Sequence, residues 1–258
     1  MEQNVVIQGS VFDLPFLSAG ASSWVFKVSE SIVIKAPHGL DEDRQSLAIE
    51  HDIYRRLGVN PSIPKLPAVH KGMLVLERLQ TPLRDRLLKL HQAGCPPSPG
   101  QSLQWASQIT QGLQYIHQCG VLQVDIGLHN VLLDSNDNTK ICDFAGSSID
   151  GSPPNICPSH RAEHPSLPAE NPSLVSEHFA LGSLLYELET GQQPYHEKDE
   201  EEIERLFEQD HFPNTDNLML GNAIMKCWKR GYTDDEQIIV DLGLIRECLE
   251  HDVNMGHG

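Results

Sequence analysis

At 258 residues and 39% hydrophobic content, the chain can bury one large core or two small ones. It carries 36 acidic against 19 basic residues, a formal charge of -17, and no Lys/Arg run longer than a dipeptide. Nucleic acid and anionic membrane surfaces are therefore poor partners, whereas basic protein segments would be attracted.

From the N-terminus, Met1 to Leu14 lack the basic start and long apolar run of a secretory signal. No later stretch approaches the ~20 apolar residues that cross a bilayer. Six scattered cysteines (Cys95, Cys119, Cys142, Cys157, Cys227 and Cys248) form no C-x-x-C pair, so they are expected as reduced, mostly buried thiols. These features lead us to expect an intracellular protein, cytoplasmic or nuclear.

Short β-rich runs follow one another over the first eighty residues: Val5 to Ile7, Trp24 to Val28, Ser31 to Lys35 and Met73 to Leu76. One helix interrupts them, from about Asp43 to Leu57, with Leu47, Ile49 or Glu50, Ile53, Tyr54 and Leu57 at helical spacing; Pro61 and Pro64 stop it. A second helix carries Leu83, Leu87, Leu88 and Leu90, and a third runs from Leu103 to Cys119 after a Pro/Gly/Ser break at Cys95 to Gly100. Two apolar runs, Asn130 to Asp134 and Thr139 to Asp143, flank a turn and predict a short hairpin. Residues 147–173 read as an exposed loop. A buried helix is expected over Glu177 to Glu189, ended by Gly191, and the acidic run Glu197 to Glu204 suits the N-terminal dipole of another helix. His160 and His164, set among prolines, read as loop residues and not as metal ligands.

The order is a small strand-rich part, a connector and a larger helical part, with a cleft between them as the natural ligand site. Five elements in register give that cleft a chemistry. Leu17 to Val25 contains Gly20 in a small-residue turn, where amides approach phosphate closely. Lys35 ends an apolar strand, and Glu50 lies on the helix after it. Leu76, Glu77 and Leu79 lead from the strands to the helices; locally they read equally well as an edge strand running into a helix. Asp125 and Asn130 lie in Tyr115 to Asp134, and Asp143-Phe144-Ala145-Gly146 begins thirteen residues beyond Asn130.

This ordered set resembles the eukaryotic protein kinase family over nearly the whole chain. Phe179 to Ser183, Leu185 to Leu188, Thr190 to Tyr195 and Lys226 to Trp228 look most like short, divergent kinase-like proteins of filamentous fungi. The resemblance implies an α+β bilobal protein-kinase-like fold: an antiparallel-sheet N-lobe with one helix at 1–79 and a mainly helical C-lobe at 80–258. It implies ATP and Mg²⁺ as cofactors. Lys35, held by Glu50, would contact the phosphates; Asp125 would deprotonate the acceptor hydroxyl; Asn130 and Asp143 would hold Mg²⁺. Gly20 and Val25 would cover the nucleotide, Leu76 would gate the back pocket, and the main chain of Glu77 and Leu79 would read the adenine edge. The acceptor is expected to be serine or threonine on a protein, or a small-molecule alcohol.

Several positions depart from the family pattern. Serines replace two of the loop glycines, Gln123 and Val124 replace the His and Arg of H-R-D, Gly127 replaces a lysine, and Ala145 replaces the glycine of D-F-G. Without an arginine beside Asp125, activation by loop phosphorylation is not expected. His129, two positions beyond Gly127, where the tyrosine kinases of the family carry an arginine, could partly substitute for the missing lysine, but it is first expected to be a surface-loop residue. Glu177 stands where the family has an aspartate that braces the catalytic loop. Seven positions separate Glu170 from Glu177, so the peptide shelf is expected to be cut down, with Arg230 the one candidate partner for Glu170. These losses keep two alternatives open: a nucleotide-binding pseudokinase or scaffold, and a kinase-fold enzyme acting on a metabolite.

Overall fold

The computed structural model describes residue 7 and residues 9–255, without the side chains of 252–255. The expected strand at Val5 to Ile7 lies largely outside the described residues. After a 3-10 turn at Val11–Asp13 come β1 (Phe16–Ala19), β2 (Ser23–Lys27) and β3 (Ile32–Pro37), then helix α1 (Asp41–Leu57), β4 (Ala68–His70) and β5 (Met73–Glu77). They form one antiparallel five-stranded sheet in the order β1-β2-β3-β5-β4.

Strand alternation gives this sheet two apolar faces. Phe26, Ile34, Ala36 and Val75 cluster with Val11 on the outer one. Val33, Leu74 and Leu76 face the other way and join α1 and the helical part in the main core. The register sets Val25 and Leu74 against Lys35 and sets Val33 against Leu76, so Val25, Lys35 and Leu76 share that inner face.

α1 starts two residues before its expected position, with Asp41, Glu42 and Asp43 in the first turn and Arg55 and Arg56 in the last, matching the helix dipole. It buries Leu47, Glu50, Ile53, Tyr54 and Leu57 on one side.

The larger part holds α2 (Leu83–Gln92), α3 (Pro99–Gln118), β6 (Val121–Leu122), β7 (Val131–Leu133), β8 (Thr139–Ile141), β9 (Ser148–Ile149), α4 (Leu174–Thr190), α5 (Glu200–Glu208), α6 (Gly221–Trp228) and α7 (Asp235–Met255). α3 begins inside the expected break, because Ser98 accepts the Gln101 N–H and Pro99 suits the first helical position. α4 is apolar nearly all round and forms the centre of this part. Its capping box pairs Ser173 with Ser176, and Gly191 closes it at φ 73°. The architecture is the expected α+β, two-lobed fold.

Two expectations are corrected. Residues 147–173 are irregular but not simply exposed: Ser147, Ser148, Ala162 and His164 are buried, and β9 pairs with β6. The cysteines are free, yet Cys95, Cys157 and Cys248 are exposed and only Cys227 is buried outright. Solvent-facing turns and helix flanks hold these thiols, which no spacing pattern reveals.

Candidate active site

The inner end of β3 delivers Lys35 to a carboxylate on either side. Its Nζ lies 2.6 Å from Glu50 Oε2 and 2.7 Å from Asp143 Oδ1. Lys35 and Glu50 are buried, so the ammonium is desolvated, which on its own would lower its pKa. The two carboxylates outweigh burial and hold the lysine well above its usual range. Glu50 also accepts the Phe144 N–H, at 3.4 Å. Phe144 is fully buried with its ring edge-on to Tyr54 of α1, so the packing that seats Asp143 also seats the helix carrying Glu50.

Asp125 and Asn130 meet across a tight loop. Asn130 Nδ2 donates to both the Asp125 carbonyl and Asp125 Oδ2, each at 2.9 Å. That orientation leaves the Asn130 amide oxygen for another partner. Asp125, Asp143 and the Ala21 to Ser23 turn line one cavity of about 100 Å³. Gly20 lies directly over Asp143: a Cβ built there would stand 3.9 Å from Asp143 Oδ2. At the other end of the inner face, Arg78 N–H is bonded to Ser31 and Gln80 N–H to Leu133, which leaves the Leu79 N–H without a partner among the described residues. Glu77 donates its N–H to Lys65 O, and its carboxylate accepts from Lys140 Nζ at 3.2 Å.

The structure therefore brings Lys35, Glu50 and Asp143 into contact and joins Asp125 to Asn130. It puts Gly20 over Asp143 and lays Val25 and Leu76 along the same face. Asp143 and Asn130 offer hard oxygen donors, the type magnesium takes. Among the described residues no group of three or more His, Cys, Asp or Glu could hold a metal alone. A cation here would complete its shell from phosphates and water, so the donor set suits Mg²⁺ brought in on a nucleotide.

Several residues matter more than the sequence indicated. Gln123, read as a loss, ties the loop carrying Asp125 together: Nε2 donates to the carbonyls of Cys142 and Asp143, both at 3.0 Å, and its own carbonyl accepts from Ser147 Oγ at 3.1 Å. Glu177 does brace the loop, its extra methylene accommodated, accepting the Gln123 and Val124 N–H groups at 2.8 Å each. Ala145 is not strained, because the left-handed residue of this turn is Asp143, at φ 63°. His129 is not a free surface residue: its Nε2 lies 3.0 Å from Asp125 Oδ2. Arg230 does not reach Glu170, which is exposed; it donates to His164 at 3.0 Å instead. His160 sits against Glu200 and Glu204. Nothing local marked the roles of Gln123, whose partners are reached only through the fold, or of His117, which bridges Glu177 (3.2 Å) and Asp235 (2.8 Å).

No helix among the described residues is long and apolar enough to cross a membrane. The family model for the protein kinase domain matches residues 33–254. Human protein kinase C delta type is 32% identical over 122 residues, covering 42% of this chain and 17% of that protein. A probable serine/threonine-protein kinase of Dictyostelium discoideum is 32% identical over 131 residues, covering 48% and 14%. Another of the same organism is 28% identical over 202 residues, covering 70% and 12%. The chain thus spans less than a fifth of the length of these relatives.

Proposed function

Because this chain belongs to the protein kinase family, we propose that it transfers the γ-phosphoryl of Mg-ATP to a hydroxyl, with serine or threonine on a basic protein segment as the acceptor and no need for a phosphorylated activation segment. The observation that carries this reading is Lys35 clamped between Glu50 and Asp143 in the same cleft as the Asp125 carboxylate. Bound Mg-ATP would supply the phosphoryl group and the charge that neutralises its oxygens.

The chain's own groups do the rest. Lys35, fixed on both sides, would present its ammonium to the phosphates; Asp143 and the Asn130 amide oxygen would hold the metal; the turn at Gly20 would cover the phosphates. The main chain of Glu77 and Leu79 would read the adenine edge, with Val25 and Leu76 against the ring. Asp125 takes the proton of the acceptor hydroxyl as that oxygen bonds the γ-phosphorus and the bridging P–O bond breaks towards ADP. The -17 charge favours basic acceptors, and the free thiols suit a reducing interior such as cytoplasm or nucleus. Val124 stands where the family carries an arginine beside Asp125, and the nearby Arg84 is already bound to Glu187, which supports independence from segment phosphorylation.

The test is phosphotransfer from labelled ATP to generic basic proteins beside an Asp125→Asn control. Label transfer that the control abolishes supports the reading; none from the wild-type chain ends it.

One observation favours a second reading, a nucleotide-binding scaffold. The space around Asp125 and Asp143 is small, and Ile156 closes it: a Cβ on Gly146 would stand 2.2 Å from Ile156 Cγ2. Mg-ATP binding without label transfer would select that reading.

A further inference from the structure

Gly127 and His129 occupy the same space beside Asp125. A Cβ built on Gly127 would stand 2.5 Å from His129 Cε1 and 2.6 Å from His129 Nδ1, closer than real Cβ atoms come. The other wall of that space is Arg84, whose Nη2 lies 3.6 Å from the same point. Arg84 cannot easily yield, since its Nε and Nη2 bind both oxygens of the half-buried Glu187 pair at 2.6 and 2.8 Å. The imidazole, 38% exposed on its outer side, is bounded on its inner side by the Gly127 backbone and Arg84, and sits with Nε2 3.0 Å from Asp125 Oδ2. Its Nδ1 is sealed from solvent with no partner among the described residues. A bare lone pair is cheaper to bury there than an unpaired N–H, so Nε2 carries the proton and donates.

Asp125 Oδ2 then receives two donors, His129 Nε2 and Asn130 Nδ2. Among the described residues Asp125 Oδ1 receives none. Two bonds on one oxygen fix the carboxylate plane and single out the other oxygen as the base.

We propose that His129 is a positioning residue for phosphotransfer: it orients Asp125 so that Oδ1 meets the acceptor hydroxyl, and the missing side chain at Gly127 is what makes room for it. This rests on the phosphotransfer reading above. The donor argument predicts that any planar group with an N–H at that place serves in part, whereas a side chain at 127 expels the ring.

The test is a double-mutant cycle of wild type, Gly127→Ala, His129→Ala and the double variant, with His129→Gln as the conservative replacement. Turnover is read on a basic protein, ATP affinity by thermal shift with Mg-ATP, and the His129 tautomer by ¹⁵N NMR. Each single alanine lowers kcat by ~10-fold or more while the KM for ATP stays within ~2-fold, since Asp125 acts in the proton step. The double variant is no slower than His129→Ala, and His129→Gln recovers part of the loss. Gly127→Ala losses that multiply with those of His129→Ala, or full turnover in His129→Ala, overturn the proposal. A wild-type His129 with its proton on Nδ1 overturns it without reference to turnover. Absence of label transfer from all variants and wild type together is instead the failure of the phosphotransfer reading, and the tautomer still decides the placement of His129.

Discussion

Glu177 accepts the Val124 N–H at 2.8 Å, and Val124 is held at φ 68°, a left-handed conformation that a β-branched residue resists. The carboxylate on α4 therefore holds strained backbone next to Asp125. It accepts the Gln123 N–H equally well, and His117 lies against it.

Replacing Glu177 by alanine would strand two buried N–H groups and release the strain. We expect a loss of about 3 kcal/mol or more, seen by calorimetry as a fall in Tm of roughly 6–12 °C. Glu177→Gln keeps one acceptor and falls by less. Phosphotransfer should drop with the alanine variant even below its Tm, because the loop carrying Asp125 is no longer braced. A Tm unchanged within a degree would show that the brace carries no energy.

His117 gives the brace a pH dependence. Burial alone would depress its imidazole, but hydrogen bonds to Asp235 and Glu177 overcome this and raise it to about 9. The folded value thus exceeds the ordinary 6.5, so the stabilisation is complete below about pH 6.5 and is lost as pH rises through about 9. Asp235, below its usual range through the same histidine and His178, remains charged across that window. The shift corresponds to about 3 kcal/mol for this buried group. Urea midpoints measured from pH 6 to 9.5 should decline for the wild type and stay flatter for His117→Gln. Parallel slopes in the two proteins would exclude His117 as the source.

Strands β2, β3 and β5, with α1 and α4, were legible because apolar runs and helical spacing report burial directly; β1 and β4 were not, since β1 is exposed throughout and β4 is short and only half-buried. Lys35, Glu50, Asp125, Asn130 and Asp143 were legible as a set because their order along the chain is itself a pattern. The N-terminal edges of α3 and α4 were not, since Ser98-Pro99 and Ser173 read as loop composition until their caps are seen. The role of Gln123 was hidden because it depends on carbonyls of Cys142 and Asp143 reached only through the fold. His129 was misread for a related reason: whether a loop histidine is free depends on the space left by Gly127, which spacing cannot report.

The clamp on Lys35 makes a separable prediction about nucleotide. Mg-ATP at ~100 times its Kd adds about 2.7 kcal/mol, a Tm rise of roughly 5–10 °C for a chain of this size. Asp143→Asn should remove most of the Mg²⁺-dependent part, since it strips charge from the one carboxylate shared by Lys35 and the expected metal. Lys35→Met should abolish turnover while some nucleotide binding through the Glu77 to Leu79 main chain persists. An equal Mg²⁺-dependent shift in Asp143→Asn and wild type would place the cation elsewhere.

Activation by phosphorylation is tested best away from the two serines that follow Gly146. Ser147 Oγ donates to Gln123 O at 3.1 Å and Ser148 Oγ to Ser152 O at 2.6 Å, and both side chains are buried. A carboxylate at either place would be desolvated without a cationic partner, costing at least about 2 kcal/mol, so a fall in activity there would report damage and not regulation. Ser159 is exposed on the same segment and can accept the charge without that cost. With Val124 beside Asp125 and Arg84 already bound to Glu187, a charge at Ser159 has no free guanidinium there, among the described residues, to draw it in and order the segment. Ser159→Asp should therefore match the wild type in kcat and in KM for ATP within ~2-fold, and phosphatase treatment should leave turnover unaltered. A rise of ~10-fold in Ser159→Asp, or a comparable loss after phosphatase, would mean that a cation elsewhere on the chain reads the segment, with Arg56, already paired to Asp150 at 2.8 Å, the first to examine.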